Sequence, residues 1–191
     1  MLGVAFPRRG PAYAERWRVL RVIVATFRNM AFAGLCVVIA TPVSAATLVG
    51  SWDGTNLILG PKPTRAVLQL AGHMTPAALA ERAKAHRYTL VLSGLAADPD
   101  PETGYLVFLN LSQSAKPSKD DEGYVGAISF FGMPRSAAQP SRMLSFEVSP
   151  HLASLQELGR LSAPISVTFV PTGVPVEGSR ASVAKIDLYE N

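Results

Sequence analysis

Short apolar runs separated by turn-forming residues make up most of the chain after position 50. The two runs at residues 105–111 and 124–131 flank a polar segment that contains Pro117 and the acidic triplet 120–122. Two apolar runs around a polar, charged turn are typical of a long β-hairpin. Because apolar residues in both runs point to both faces, the pattern predicts strands covered on both sides, at the centre of a β-sandwich.

Six other short runs are also interpreted as strands. In the run 143–148, Leu144 and Phe146 alternate with Ser145 and Glu147, which is the period of a half-buried strand. Eight strands with turn signals between most of them predict an all-β domain at residues 50–191, an antiparallel sandwich or barrel. The six runs are residues 56–59, 65–70, 88–92, 143–148, 165–170 and 182–189.

Two helical excursions interrupt the predicted strands. Thr75 followed by Pro76 predicts an N-cap and first helical residue before the alanine-rich segment 77–85. Because that segment is short and mostly alanine, we expect a surface helix rather than a core helix. Ser149, also followed by proline, repeats the capping signal, and Gly159 predicts the end of the second helix.

The first 46 residues differ from the rest in charge. They hold six arginines and one acid, followed by an uncharged run at residues 30–46 that ends in small residues. This pattern predicts a helical secretory signal peptide cleaved after Ala45 or Ala46, and hence a periplasmic or secreted protein. The alternative is an uncleaved membrane anchor at residues 29–52, since the uncharged stretch continues to Trp52 and is long enough to cross a bilayer.

Removing this leader changes the charge of the chain. The remainder holds 12 basic and 13 acidic side chains, a net charge of −1, although the whole chain carries +4. No basic patch remains to indicate nucleic-acid binding. The single cysteine, Cys36, lies in the leader, so a disulfide and a thiol nucleophile are both excluded from the domain.

Residues that could carry chemistry are sparse. The three histidines lack the spacing of metal ligands, and each lies beside a predicted helix. Acidic residues alternate at 98, 100 and 102, but prolines fill the gaps and no glycine permits a calcium-binding turn. The acidic triplet 120–122 is expected to keep a hairpin tip solvated. We therefore predict no catalytic residue, no cofactor and no metal site. The histidines are His73, His86 and His151, and the alternating acids are Asp98, Asp100 and Glu102.

Aromatic residues at the end of the second hairpin strand are more suggestive. Phe130 and Phe131 are consecutive, so they point to opposite faces of their strand. One ring can pack in the core while the other faces outward beside Met133 as an apolar contact site. The predicted partner contact set is Phe130, Phe131, Met133 and Tyr105, and core packing is the alternative for its members.

Five segments in order resemble one family. YLVFLNL, YVGAISFFG, RMLSFEVSPHLASLQELG, PISVTFVPTG and ASVAKIDLY are similar to the C-terminal β-sandwich of tyrosinase and polyphenol oxidase-type proteins. The resemblance covers residues 57–189. It implies a cover domain that normally lies beside a helical domain, where two histidine triads hold a copper pair. That helical domain is absent here, and three histidines cannot supply six ligands.

The resemblance favours one function and leaves two alternatives open. The first is a non-catalytic partner of a separate tyrosinase-like type 3 copper oxidase, which shields its site or assists its folding or copper loading. The second is a general extracytoplasmic binding or structural module with an unknown ligand. The third is a fragment of a longer tyrosinase-like phenol oxidase.

Overall fold

The structure is a computed structural model that describes residues 45–112, 116–133 and 142–191. Residue contacts divide the chain into Met1–Pro42 and Val43–Asn191, and the described residues belong to the second unit. This unit contains two short helices, α1 (Pro76–Arg82) and α2 (Ser149–Glu157). The strands in the described part are β1 (Thr47–Ser51), β2 (Leu57–Leu59), β3 (Thr64–Val67), β4 (Gln69–Leu70), β5 (Tyr88–Leu95), β6 (Gly104–Leu109), β7 (Tyr124–Ser129), β8 (Arg142–Glu147), β9 (Ser166–Pro171), β10 (Ala181–Val183) and β11 (Lys185–Glu190).

The strands form two main sheets and a small one. The five-stranded sheet has the order β4-β1-β11-β5-β8, the four-stranded sheet β3-β9-β6-β7, and β10 pairs with β2. Every pairing is antiparallel. Leu90 and Leu92 of the first sheet and Val107 and Phe169 of the second belong to one buried cluster. The predicted antiparallel β-sandwich with two short helices is therefore confirmed.

The long hairpin is present, but only its first strand is central. β6 pairs with both β7 and β9, whereas β7 pairs with β6 alone and lies at the edge of its sheet. Ile128 is the one buried residue of β7, and Ala127 and Ser129 are exposed. β9 takes the neighbouring position on the other side of β6, which leaves β7 at the edge. The prediction that both hairpin strands are covered on both faces is wrong for β7, because only Ile128 of that strand is buried.

Two runs that were predicted as single strands cross between sheets. The run 65–70 divides into β3 and β4 around the buried Leu68, whose amide donates to Ile165 O at 2.8 Å. The run 182–189 divides at Ala184 into β10 and β11, which pair with different partners. The chain stays in the core at the first crossing, where Leu68 is buried, whereas at the second crossing Ala184 is half-buried and Lys185 is exposed.

Strand β1 lies where the sequence pattern had suggested the end of an apolar leader. It pairs with both β11 and β4, so its residues are interior to the five-stranded sheet. It also occupies the last part of the alternative 29–52 anchor. Residues 1–44 lie outside the described residues, so the signal or anchor segment stays a prediction. Within the described part, neither helix has the length and apolar character needed to cross a membrane.

Helix α1 begins as predicted but packs differently. The Thr75 side chain accepts a hydrogen bond from Ala78 N at 3.2 Å, which confirms the N-cap. Leu79 and Ala80 are buried, so the expected surface helix in fact contributes to the core. The alanine-rich composition did not indicate core packing, but one leucine and its small neighbours are enough to pack a short helix against the core.

Helix α2 has a different start from the predicted one. Val148 is its N-cap, and the Ser149 hydroxyl instead accepts from Tyr88 N at 2.7 Å in a buried contact. Leu152 and Leu155 are buried against the core. Gly159, with φ +66°, follows the helix as predicted.

Candidate functional site

Three connections meet at one end of the sandwich. Strand pairing places Gly104 opposite Ser129 and Tyr105 opposite Pro171, so the start of β6 lies beside the ends of β7 and β9. Thr172 N donates to Gly104 O at 2.9 Å, and Val176 N donates to Pro101 O at 3.1 Å. We call the described residues 96–103, 130–133 and 172–180 the loop end.

The two consecutive phenylalanines separate at the loop end. Phe130 is buried and meets the Tyr105 ring edge-on, with centroids 5.8 Å apart and an interplanar angle of 89°. Phe131 is 86% exposed. Met133 N donates to Phe130 O at 3.0 Å, which closes a tight turn, and Gly132 within it has φ +67°. The turn therefore fixes Phe131 at its outer side.

The predicted contact residues fall into two groups. Tyr105 is buried, its hydroxyl donates to Leu59 O at 3.3 Å, and burial raises its pKa above the ordinary value. Phe130 is equally buried, so both rings pack in the core, which is the alternative stated for members of this set. Phe131 is exposed, and Met133 is half-buried against the core. A partner role for these two residues stays a prediction.

Two clefts at the loop end carry carboxylates, one beside the Phe131 ring and one beside its neighbours Phe130 and Gly132. One, of about 430 Å³, is lined by Phe131, Asp100 and Glu102 among others. The other, of about 460 Å³, is lined by Asp98, Asp100 and Met133 among others. Asp100 lines both clefts, and its Oδ1 accepts from Glu102 N at 2.8 Å. This hydrogen bond fixes the orientation of the acidic loop beside the exposed ring.

Two further exposed apolar side chains were not singled out from the sequence. Val174, between β9 and β10, is 90% exposed at the loop end. Met143 is exposed near the start of β8. The available signal for Val174 was its position in the proline- and glycine-rich segment 171–178, where an apolar residue has no strand to pack into.

The histidines lie away from the loop end. His73 is exposed, His86 Nδ1 is 3.4 Å from Glu190 Oε1, and His151 Nδ1 is 2.9 Å from Glu122 O. Across residues 45–112, 116–133 and 142–191, no three metal-binding side chains come together as a site for an ion.

Two residues of the acidic triplet are anchored rather than simply solvated, whereas Asp120 is exposed. Asp121 accepts from Arg160 Nη2 with both oxygens, at 2.9 and 3.0 Å, and Glu122 lies 3.3 Å from Arg160 Nη1. Arg160 follows α2, so these bonds tie the β6–β7 connection to that helix. A polar cleft of about 300 Å³, lined by Arg65, Asn110 and Arg160, opens nearby at the end of the sandwich opposite the loop end.

The class of the protein follows from its strands, and its family follows from comparison with known proteins. By fold it is an antiparallel β-sandwich that is similar to part of the solved polyphenol oxidase structures. The chain belongs to the family described as "Domain of unknown function (DUF7868)", which matches residues 38–191. No curated protein matches it in sequence.

The solved structures are distant and much longer. Latent apple tyrosinase is 13% identical with a TM-score of 0.48, over 71% of this chain and 27% of that chain. Latent aurone synthase, a polyphenol oxidase, is 15% identical with a TM-score of 0.45, over 70% of this chain and 25% of that chain. The chain thus spans about a quarter of the length of these structures. Similarity at this level carries no argument about function.

Proposed function

We propose that the chain is a non-catalytic, exported β-sandwich that binds a separate type 3 copper oxidase and shields its site or assists its assembly. The proposal is supported by the ordered sequence resemblance over residues 57–189 to the cover domain of tyrosinase-type proteins. Three histidines in the whole sequence are too few for the six ligands of a copper pair. The copper chemistry is therefore assigned to the partner.

The observation that carries this proposal is the exposed ring of Phe131. A large aromatic side chain that is 86% exposed leaves apolar surface in water, and such surface is a common anchor of protein interfaces. The backbone hydrogen bond from Met133 N to Phe130 O holds the turn 130–133 in place, so little backbone entropy is lost when a partner covers the ring. Phe131 is thus the residue expected to contact the oxidase.

The test adds the purified chain to a histidine-rich copper oxidase from the same host and measures binding and phenol oxidation. We expect binding with a reduced oxidation rate, and Phe131→Ser should weaken the affinity by roughly tenfold or more. Leu158→Ser is the matched control, because Leu158 is also exposed but lies next to α2, away from the loop end. A chain that neither binds the oxidase nor alters its rate would refute the proposal.

Export is part of the same proposal. The arginine-rich leader and small residues at 43–46 support cleavage by a signal peptidase. Mass determination of the protein from its own host should give a first residue of Ala46 or Thr47. An intact Met1 in the membrane fraction would support the anchor alternative instead.

A general binding module is the second candidate function, and the polar cleft lined by Arg65 and Arg160 favours it. Arg65 Nη2 donates to Leu111 O at 2.8 Å, which holds the guanidinium at the cleft. This candidate predicts a ligand or partner whose capture is lost with Arg65→Ala and kept with Phe131→Ser. The opposite pattern would favour the oxidase partner.

A further inference from the structure

We infer that the loop end recognises a partner surface that carries arginine or lysine side chains around an apolar recess. The inference rests on the proposed function and adds to it the chemistry of the oxidase surface that is contacted. It depends on two properties of the loop end: an exposed apolar ring, and carboxylates in the cleft beside that ring and in the adjoining cleft beside Phe130 and Gly132.

Acidic side chains outnumber basic ones at the loop end, where the described residues hold Asp98, Asp100, Glu102 and Glu177 against Arg180. Asp98, Asp100 and Glu102 make no ion pair with any basic side chain that the structure describes. At the opposite end of the sandwich, Arg160 lies 2.9 Å from Asp121 and Arg82 lies 2.7 Å from Glu190. The loop end therefore carries a net negative charge, and its three carboxylates at positions 98, 100 and 102 form no ion pair within the described residues.

The positions of the carboxylates relative to Phe131 determine what they can contact. Glu102 and Asp100 border the cleft that the ring itself lines, and Asp98 and Asp100 border the cleft that Phe130 and Gly132 line. If the ring enters a partner's recess, cationic side chains on the rim of that recess come next to these carboxylates. Charged groups at the rim of an interface steer association and set its dependence on salt.

The same arrangement is poorly suited to a lone metal ion. Pro99 and Pro101 separate the acidic residues, and the amide of Glu102 already occupies Asp100 Oδ1. A free cation would also leave the Phe131 ring exposed to water. A protein surface with both basic and apolar groups can pair with the carboxylates and also cover the Phe131 ring.

The test compares two variants that remove the same three negative charges. Asp98→Asn, Asp100→Asn and Glu102→Gln neutralise the loop end in one variant. In the matched control, Glu81→Gln, Asp120→Asn and Glu157→Gln neutralise exposed acids elsewhere. Binding of each full chain to the copper oxidase is measured by surface plasmon resonance at about 50 mM and about 500 mM salt.

We expect the loop-end variant to raise Kd by about tenfold at the lower salt concentration, and the control to change it by less than about twofold. High salt should weaken wild-type binding and remove the difference between the variants, since exposed charges are screened. Binding that neither the loop-end variant nor salt affects would overturn this inference alone. Equal weakening by both variants would also overturn it, because the effect would then come from net charge. Absence of any binding would overturn the proposed function together with it.

Discussion

Asn110 connects three segments of the chain through one side chain. Its Oδ1 accepts from Ser166 N at 2.8 Å, and its Nδ2 donates to Ser162 O at 3.0 Å and to Arg160 O at 3.4 Å. The residue is buried and has φ +43°, in the left-handed region that asparagine tolerates better than most residues. One residue therefore joins the end of β6 to β9 and to the segment after α2.

We predict that Asn110→Ala lowers the free energy of unfolding by about 2–3 kcal/mol. The change leaves Ser166 N and Ser162 O without their side-chain partner, and the backbone at position 110 keeps its positive φ. Urea denaturation measures the loss. Asn56→Ala is the control, because Asn56 has a similar φ of +53° but is exposed, and it should cost about 1 kcal/mol or less. Equal losses in the two variants would show that the backbone, rather than the hydrogen bonds, is responsible.

Local signals in the sequence predicted some of these residues and missed others. Thr75 was predicted correctly because a cap binds an amide only three residues away. Ser149 carries the same signal, but its hydroxyl binds Tyr88 N, which is 61 residues distant. A contact of that kind depends on strand order, which the spacing of residues does not contain. The alternation of side chains along a strand put Phe130 and Phe131 on opposite faces, but it did not show which one faces outward.

Tyr88 gives the folded chain a dependence on alkaline pH. Burial, together with the neighbouring Glu190 carboxylate, raises its pKa from 10.0 to about 12. The folded state therefore keeps a proton that the unfolded chain loses above pH 10. The stabilisation is complete below pH 10 and is lost as the pH rises toward 12.

We predict that Tyr88→Phe flattens the fall of unfolding free energy between pH 10 and pH 12. Urea denaturation at several pH values measures both proteins. A smaller slope should remain in the variant, because the pKa of Tyr105 is also raised by burial. Identical slopes in the two proteins would contradict the assignment to Tyr88.

At the scale of elements, the crossing between β10 and β11 depends on a close approach to β5. Gly94 has φ +68°, and a Cβ at this position would overlap the Cβ of Ala184. Ala184 N donates to Ser93 O at 3.1 Å, so the backbones are held together there. The crossing therefore needs a residue without a side chain.

We predict that Gly94→Ala lowers the free energy of unfolding by about 2–4 kcal/mol, through the positive φ and the steric overlap together. Gly60→Ala is the matched control, since nothing lies within 4 Å of a Cβ there and its φ is not positive. That change should stay within about 0.5 kcal/mol. If Gly94→Ala lowers the free energy of unfolding by less than about 1 kcal/mol, the backbone at the crossing can shift to accept a side chain.

Element type was easier to predict from the sequence than element boundaries. The alternation in 143–148 predicted β8 and its inward-facing side chains, because one face of that strand is solvated. Strand β1 was missed because TLVGS continues an apolar leader without a charged residue between them. The crossings at Leu68 and Ala184 were missed because both positions stay partly or fully buried.

At the scale of the whole molecule, the two ends of the sandwich differ. The end with α1 and α2 pairs its charges internally, through Arg82 with Glu190 and Arg160 with Asp121. The loop end leaves an aromatic ring and several carboxylates exposed. The sequence could supply the residues of both ends, but it could not show which loops meet, since that depends on the pairing of β6 with β7 and β9.

Native mass spectrometry of the chain mixed with the copper oxidase from its host tests the central claim most directly. We expect a complex of the two proteins that contains two copper ions, which remain with the oxidase when the complex dissociates. The complex should be depleted with Phe131→Ser and retained with Leu158→Ser. Separate masses for the two wild-type proteins, or a copper pair on this chain alone, would contradict the account.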